Sequence, residues 1–324
     1  MNALGLSMIV KMGCICSRES ININGSRYTV KERLGEGGFS CVDLVEETST
    51  KKKYALKRIT CHSIDDQKVA MQEINYYMKL RHPNIIELID STFKGSADIV
   101  VQATSEAYLV LPYYKRGTLH DYLTLRSFNK NHLDVNDILR IFTEICQALK
   151  FLHDFTPDPI AHRDLKTANV CLTENMDPVL MDLVIKNSCR FLCSCKSADL
   201  WGAGCSEIAG YRLERCSMTY RAPELFHVES YCVIDQRTDI WSLGCVLYAL
   251  LYFKSPFDIV YERGDSVNLA VISGTIYFPQ DAPFSDDVHE LILFMLRVNP
   301  TERPFIDDVI AKTTSLKNKI ENVV

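Results

Sequence analysis

Apolar residues recur at helical spacing in two long stretches of the chain. In residues 136–155 they fall on one face: Ile138, Leu139, Phe142, Ile145, Cys146, Leu149 and Leu152. Within residues 65–80 a similar spacing relates Val69, Ile74, Tyr77 and Leu80. Side chains three or four positions apart lie on the same side of a helix, so both stretches predict helices with one apolar face. The mostly apolar run 241–253 predicts a buried core helix, because about 20 residues are needed to span a bilayer.

Shorter apolar stretches, bounded by turn-forming residues, predict strands. Residues 28–46 predict two strands joined by a glycine-rich turn, and residues 108–111 predict a further strand after a polar insert at 95–106. Residues 170–172 and 179–181 predict a short strand pair. The lysine run 51–53 separates two strand-like segments and predicts a solvated hairpin turn.

Composition narrows the class of protein. The chain has 324 residues, of which 47% are hydrophobic and 24% charged, as is typical of a globular protein with one large or two modest domains. The net charge of -5 and the lack of a long basic stripe argue against a nucleic-acid partner. The 13 cysteines, without a visible secretory signal, predict a reducing cytoplasmic setting with free thiols.

The stretch from His162 to Asn169 carries the strongest candidate chemistry. It places a carboxylate, Asp164, a cation, Lys166, and an amide, Asn169, within six positions, after a proline-rich loop. Phosphoryl transfer to a hydroxyl uses such a trio. The carboxylate accepts the hydroxyl proton, the cation neutralises charge on the transferred group, and the amide holds a metal ion.

A candidate nucleotide site precedes this stretch. The turn consists of Leu34, Gly35, Glu36, Gly37, Gly38, Phe39 and Ser40. Glycines let backbone amides approach phosphates closely. The chain continues through Val42 as a strand, whereas a dinucleotide-binding fold would continue into a helix.

Further residues complete the pattern of a protein kinase. Residues 54–57, with Ala55 and Lys57, resemble the kinase strand whose lysine contacts the nucleotide phosphates. Four more motifs follow in kinase order: Asp182, residues 220–224, residues 239–244 and residues 301–304. Over residues 28–308 the chain therefore resembles the protein kinase family. Lys166, two residues after Asp164, resembles the serine/threonine subgroup. In that subgroup the position of Ser217 carries a hydroxyl next to the catalytic aspartate and lysine.

This resemblance implies an α+β bilobal fold, with a small β-rich N-lobe that contains one helix and a larger, mainly helical C-lobe. We expect an N-terminal segment at 1–26, the N-lobe at 27–113, the C-lobe at 114–312 and a tail at 313–324. The resemblance also implies the cofactors ATP and Mg²⁺ and protein substrates with serine or threonine; the sequence predicts no particular oligomeric state.

The remaining site residues take their roles from the same resemblance. Glu73 is expected to pair with Lys57, and Leu111 and Tyr113 to flank the adenine at the hinge between the lobes. Asn169 and Asp182 are expected to bind the metal. Asp239 is expected to be the anchoring aspartate of the buried helix, and Arg303 is expected to pair with Glu224 inside the C-lobe.

At several positions the chain resembles one particular subfamily of protein kinases. The glycine-rich turn, Pro112 followed by two aromatic residues, the run 115–119 and residues 232–235 resemble the Numb-associated kinase family. Residues 12–17 read Met-Gly-Cys-Ile-Cys-Ser, which fits N-myristoylation of Gly13 and palmitoylation of Cys14 and Cys16. This reading requires translation to start at Met12, so that residues 1–11 belong to the gene model or a longer isoform. The alternative is a disordered leader with incidental cysteines.

The lipid motif and the resemblance together imply a protein on the cytoplasmic face of Golgi and perinuclear membranes that phosphorylates itself. Two acyl chains make a stable membrane anchor, whereas one binds only marginally.

One motif departs from the family. The chain reads Asp182-Leu183-Val184 where kinases have glycine in the last position, and residues 185–213 are unlike the family. A splice or reading-frame error, or a divergent activation segment, would each produce this pattern. The cysteines of this segment fit no standard zinc spacing.

The sequence is therefore compatible with three functions. The first is a serine/threonine protein kinase. The second is a pseudokinase scaffold that binds nucleotide or partners without turnover, which Val184 and the unusual segment after it favour. The third is a small-molecule kinase. Residues 220–224 argue against it, because that segment shapes a peptide platform in protein kinases.

Overall fold

The computed structural model describes residues 19–37, 40–95, 104–157, 159–183, 191–192, 217–226, 233–279 and 283–322. The chain divides into two compact units, one comprising Met1–Ser63 with Ile89–Tyr113 and the other Ile64–Leu88 with Tyr114–Val324. The helix expected in the N-lobe, at residues 64–79, groups with the second unit, and the expected domain limits stay a prediction.

The first unit contains a six-stranded antiparallel sheet in the order β1-β2-β3-β4-β6-β5. Its strands are β1 Ser20–Ile23, β2 Ser26–Glu36, β3 Ser40–Glu47, β4 Lys53–Cys61, β5 Asp90–Lys94 and β6 Ser105–Pro112. The predicted hairpin turn at the lysine run connects β3 to β4. The prediction of a polar insert up to residue 106 is wrong at its end. Ser105 is buried and pairs with Cys61, because pairing with β4 extends the strand through these polar residues.

Alternation along the strands divides this sheet into two faces. One face carries a buried apolar cluster: Ile21, Ile23, Tyr28, Val45, Tyr54, Leu56, Tyr108 and Val110. The other face carries two rows of directly paired residues: Val42, Lys57 and Leu109, and next to them Leu44, Ala55 and Leu111. Residues with predicted nucleotide contacts therefore share the face opposite the apolar cluster.

The second unit is mainly helical. Its helices are α1 Ile64–Lys79, α2 Leu119–Phe128, α3 Val135–His153, α4 Arg237–Tyr252, α5 Asp258–Glu262, α6 Val267–Ser273, α7 Asp286–Met295 and α8 Ile306–Glu321. The short strands are β7 Val170–Leu172, β8 Pro178–Leu180, β9 Phe191–Leu192 and β10 Val233–Ile234, paired as β7–β8 and β9–β10. None of the helices in the described ranges has an apolar stretch of the length that spanning a bilayer requires.

Helix α3 forms as its periodicity predicts, and its apolar face is buried against α4 and α8. Asp134 caps its N-terminus, because the Asp134 side chain accepts a hydrogen bond from the backbone of Asn136 and so satisfies one free amide of the first turn. Helix α4 is buried on all sides, which confirms the predicted core helix. In α1, Ala70 is buried, whereas Val69 remains half-buried at the edge of the apolar face.

Candidate active site

The structure brings together the three residues of the predicted catalytic loop. The Lys166 ammonium donates to Asp164 Oδ2 over 2.9 Å, and the Asn169 amide nitrogen donates to the same oxygen over 2.9 Å. Asn169 also donates to the Asp164 backbone carbonyl over 2.8 Å, because a 3-10 turn at Thr167–Asn169 folds the chain back. Asp164 and Asn169 are buried. The carboxylate is therefore fixed in direction by its own loop.

A residue distant in sequence completes the environment of Asp164. The Ser217 backbone amide donates to Asp164 Oδ1 over 3.3 Å, and the Ser217 hydroxyl accepts from the Lys166 ammonium over 2.9 Å. The predicted hydroxyl beside Asp164 and Lys166 is confirmed. Lys166 thus connects the loop to the segment that begins at Ser217.

The hairpin of β7 and β8 separates Asn169 from Asp182 along the chain and returns the backbone to the neighbourhood of Asn169. The Met181 amide donates to the Asn169 carbonyl over 2.9 Å, and the Leu183 amide donates to the Tyr77 hydroxyl of α1 over 3.2 Å. Asp182 lies between these two anchored residues with φ of 58°, a conformation that aspartate tolerates better than most residues.

The donor set at this point fits a magnesium ion. Because the Asn169 amide nitrogen is directed at Asp164, its oxygen is the end left to act as a ligand. Carboxylate and amide oxygens are the ligands that Mg²⁺ prefers. No cluster of three or more histidine, cysteine or acidic residues suited to a metal occurs in the described part of the chain. A site built from Asn169 and Asp182 therefore requires phosphate or water oxygens as further ligands.

The predicted nucleotide residues of the first unit lie on β2, β3, β4 and β6. The Gly37 amide donates to the Ser40 carbonyl over 2.7 Å and closes the glycine-rich turn, whose Gly38 and Phe39 are outside the described residues. Leu34 lies at an irregularity in the β2–β3 register and is exposed. Tyr113 follows β6, whereas Glu73 lies on α1 of the second unit. The pairing of Lys57 with Glu73 stays a prediction.

The order of these elements along the chain agrees with a family comparison. The model of the protein kinase domain matches residues 28–313. This chain belongs to the protein kinase family. The match includes the catalytic loop, the glycine-rich turn and both members of the Glu224–Arg303 pair.

Curated relatives indicate which amino acids this kinase phosphorylates. The chain is 39% identical over 313 residues to serine/threonine-protein kinase 16 of Rattus norvegicus, covering 94% of this chain and 95% of the relative. It is 39% identical over 305 residues to serine/threonine-protein kinase 16 of Homo sapiens, with the same coverage. A probable serine/threonine-protein kinase of Dictyostelium discoideum is 30% identical, covering 94% of this chain and 97% of that protein. The protein is a serine/threonine kinase.

Asp239, at the start of α4, anchors the catalytic loop of this kinase through hydrogen bonds. Its carboxylate accepts from the backbone amides of His162 and Arg163, each over 2.8 Å, and lies 2.9 Å from Nε2 of His153. Arg163 has φ of 63°, and this unfavourable backbone conformation is maintained by the contact. Burial acts to raise the pKa of Asp239, but the hydrogen bond and charge of His153, with the Arg163 amide, lower it below its ordinary value. The expected anchoring role of Asp239 is confirmed.

We expect this anchor to make the free energy of unfolding vary with pH in the acid range. Because the pKa of Asp239 is lower in the folded protein than in the unfolded chain, its stabilisation is present above about pH 4 and is lost as the pH falls through the folded pKa. Urea unfolding of wild type and Asp239→Asn between pH 7 and pH 3 measures this. The variant should be less stable at pH 7, and the difference should shrink in acid. A difference that stays constant over this range would contradict the ionised anchor.

The predicted pair of Glu224 and Arg303 is confirmed. The guanidinium donates to both carboxylate oxygens, over 2.7 and 2.9 Å, and also to the carbonyls of Arg237 and Arg297, over 2.8 and 3.1 Å. The Arg303 side chain is 0% exposed and that of Glu224 is 9% exposed. The pair joins the segment after Ser217 to the C-terminal helices of the kinase.

Sequence reasoning missed a second connection between the catalytic loop and this segment. The hydroxyls of Thr167 and Tyr220 lie 3.1 Å apart in the interior. The Tyr220 carbonyl accepts from Ser242 of α4 over 2.9 Å, and the Thr219 carbonyl accepts from Ser255 over 2.6 Å. Thr167 lies inside the recognised motif, but no pattern indicates a partner 53 positions away.

The acylation motif at Gly13, Cys14 and Cys16 lies outside the described residues, as do Val184 and the cysteines of residues 185–213. Among the cysteines of the described part, Cys41, Cys146 and Cys171 carry reduced thiols.

Proposed function

We propose that this kinase phosphorylates serine and threonine hydroxyls of proteins from ATP, with Asp164 as the proton acceptor. One observation carries the proposal. The Asp164 carboxylate receives hydrogen bonds from Lys166, from Asn169 and from the backbone of Ser217, so that it is oriented by both segments that meet there. A carboxylate in a fixed orientation beside a cation suits general-base catalysis on a substrate hydroxyl.

The other residues have positioning and electrostatic roles. Lys166 neutralises charge that develops on the transferred group, and Asn169 and Asp182 would hold magnesium. Lys57, supported by Glu73, would bind the nucleotide phosphates, and the amides of the glycine-rich turn would approach them. Val42, Ala55 and Leu111 offer an apolar face for the adenine. When bound, magnesium and ATP supply the phosphoryl group with its charge partly neutralised.

A pseudokinase scaffold is the second candidate, and Val184 is the observation that favours it. Glycine at that position allows backbone conformations that are costly for a β-branched residue. Asp182 itself remains in place between two anchored neighbours, which favours turnover.

We expect Lys57→Met to abolish phosphate transfer and to leave the fold intact. Methionine keeps the apolar stem between Val42 and Leu109 but removes the cation that binds phosphate. The measurement is transfer of labelled phosphate from Mg-ATP to a protein substrate, followed by identification of the phosphorylated amino acid, with Tm as the test of folding.

Lys53→Met is the matched control, since Lys53 is an exposed lysine on the same strand. A Lys57→Met protein that melts well below wild type would show that Lys57 is structural. Wild type without turnover, whose Tm nevertheless rises with ATP, would establish the scaffold.

We further propose that the protein belongs to the Numb-associated kinases, phosphorylates itself, and is anchored at Golgi and perinuclear membranes by acyl groups on Gly13, Cys14 and Cys16. The motif at residues 12–17 and the residues shared with that family support this proposal. Mass spectrometry of the N-terminus from cells tests it. An intact Met1 without an acyl group at Gly13 would contradict it.

A further inference from the structure

A buried carboxylate on the sheet of the first unit is not used by the proposed mechanism. Asp43 of β3 is 2% exposed, and its two oxygens face two arginines. Nε of Arg33 on β2 lies 2.6 Å from Oδ1, and Nε of Arg58 on β4 lies 2.9 Å from Oδ2. Asp43 therefore connects three neighbouring strands through a single side chain.

A second carboxylate extends this connection towards the N-terminus. The two terminal nitrogens of Arg58 donate to the two oxygens of Glu19, over 2.8 and 3.0 Å. The hydrogen bond from Arg58 lowers the pKa of Glu19, which keeps its charge in place. Glu19 is also joined to β2, because its carbonyl accepts from the Val30 amide over 2.9 Å. We call Glu19, Arg58, Asp43 and Arg33 the charge brace.

The position of the charge brace relates it to nucleotide binding. Each of its strand members is the chain neighbour of a residue assigned to the nucleotide: Arg33 of Leu34, Asp43 of Val42 and Arg58 of Lys57. Successive side chains of a strand point to opposite faces. Asp43 and Arg58 therefore lie on the back of the face that carries Val42 and Lys57.

The charge brace opposes movement of its strands relative to one another, because separating its charged groups costs free energy. A carboxylate removed from water is costly unless cations and hydrogen bonds compensate it, and removal of one partner leaves an uncompensated charge. Arg33 donates a hydrogen bond to Oδ1 of Asp43, whereas Arg58 compensates Oδ2 by its charge alone, without hydrogen-bond geometry. Without Asp43 the two cations would repel each other. Any shift between β2, β3 and β4 would separate these groups, so the charge brace resists such a shift.

We propose that the charge brace is a positioning device for ATP binding: it fixes the glycine-rich hairpin relative to the strand of Lys57, and Glu19 ties the start of the sheet into it. The proposal rests on the proposed function, in which these strands bind the nucleotide. Loss of the brace should weaken ATP binding and leave recognition of the protein substrate unchanged, because the latter depends on the second unit.

The test compares Asp43→Asn and Glu19→Gln with wild type in the full-length protein. The readouts are Kd for Mg-ATP by calorimetry, KM for ATP, and KM for a protein substrate at saturating ATP. We expect Asp43→Asn to raise Kd and KM for ATP by roughly tenfold, which corresponds to about 1.4 kcal/mol. Glu19→Gln should raise both by a smaller factor. KM for the protein substrate should not change in either variant.

Glu46→Gln is the matched control. It breaks the pair of Glu46 with Lys31, which joins the same strands β2 and β3 over 3.1 Å but is about a quarter exposed. Such surface pairs contribute little, so ATP affinity should stay at the wild-type value. The Glu19 variant guards against a folding failure of Asp43→Asn, because the Glu19 side chain is 57% exposed.

Two results would overturn the proposal in distinguishable ways. If wild type binds ATP and both folded variants bind it equally well, the charge brace is structural only and the proposed function stands. If wild type binds no ATP, the nucleotide assignment itself fails and the charge brace fails with it. A wild type that binds ATP without turnover still tests the brace through Kd.

Discussion

Replacement of Asp164 by asparagine should lower kcat by about three to four powers of ten while the protein remains folded. Asparagine keeps the shape of the side chain, but its single acceptor oxygen can receive only one of the hydrogen bonds from Lys166 and the Ser217 amide, and it cannot take up the hydroxyl proton. Loss of a positioned general base typically has an effect of 10²–10⁴-fold, and loss of the negative charge beside Lys166 adds to it. Steady-state kinetics with Mg-ATP and a protein substrate measure this, and KM for ATP should change little.

A second variant shows whether the catalytic loop acts as a unit. Lys166→Ala should also reduce kcat strongly, because the ammonium contacts both Asp164 and Ser217. The double variant with Asp164→Asn should lose much less than the product of the two single effects, since groups that act together are non-additive.

The control is Asp154→Asn, an aspartate exposed at the end of α3, which should retain wild-type kcat. Equal turnover of wild type and Asp164→Asn would contradict the assigned role of Asp164.

Replacement of Arg303 by alanine should destabilise the protein by about 3–5 kcal/mol, as is typical when one partner of a buried ion pair is removed. Glu224, whose side chain is 9% exposed, would lose its cationic partner, and the carbonyls of Arg237 and Arg297 would lose their donors. The free energy of unfolding in urea measures the loss. Activity should fall too, because Glu224 belongs to the segment that contacts the catalytic loop.

Lys254→Ala is the control for this variant. Lys254 pairs with Glu262 over 2.6 Å, but both side chains are about half exposed, at 49% and 54%. Its removal should change stability by less than about 1 kcal/mol. A second comparison is Glu224→Leu combined with Arg303→Leu, which should be more stable than Arg303→Ala, because no buried charge remains unpaired. An Arg303→Ala protein as stable as wild type would refute the structural role of the pair.

Local patterns were enough to predict the elements that carry the site. The apolar face of α3 and the fully apolar α4 follow from spacing along one helix, which depends only on chain neighbours. Asp164, Lys166 and Asn169 lie within one short loop, so their proximity also follows from the sequence. Glu224 and Arg303 are far apart, and their pairing was predicted only because the family resemblance supplied it.

Long-range polar contacts required the folded chain. The Thr167–Tyr220 bond and the charge brace join residues whose types occur everywhere on protein surfaces. The extension of β6 to Ser105 also depends on long-range contacts, because pairing with β4 buries this polar residue.

The sequence alone therefore determined the main helices and the residues of the catalytic loop, because these depend on neighbours along the chain, and its resemblance to a known family supplied the class of fold and completed the phosphoryl-transfer assignment. The tertiary structure decided which polar groups become buried and so must find partners. Asp43 is the clearest case: in the sequence it is one aspartate among many, and only the pairing of three strands places its carboxylate between two arginines.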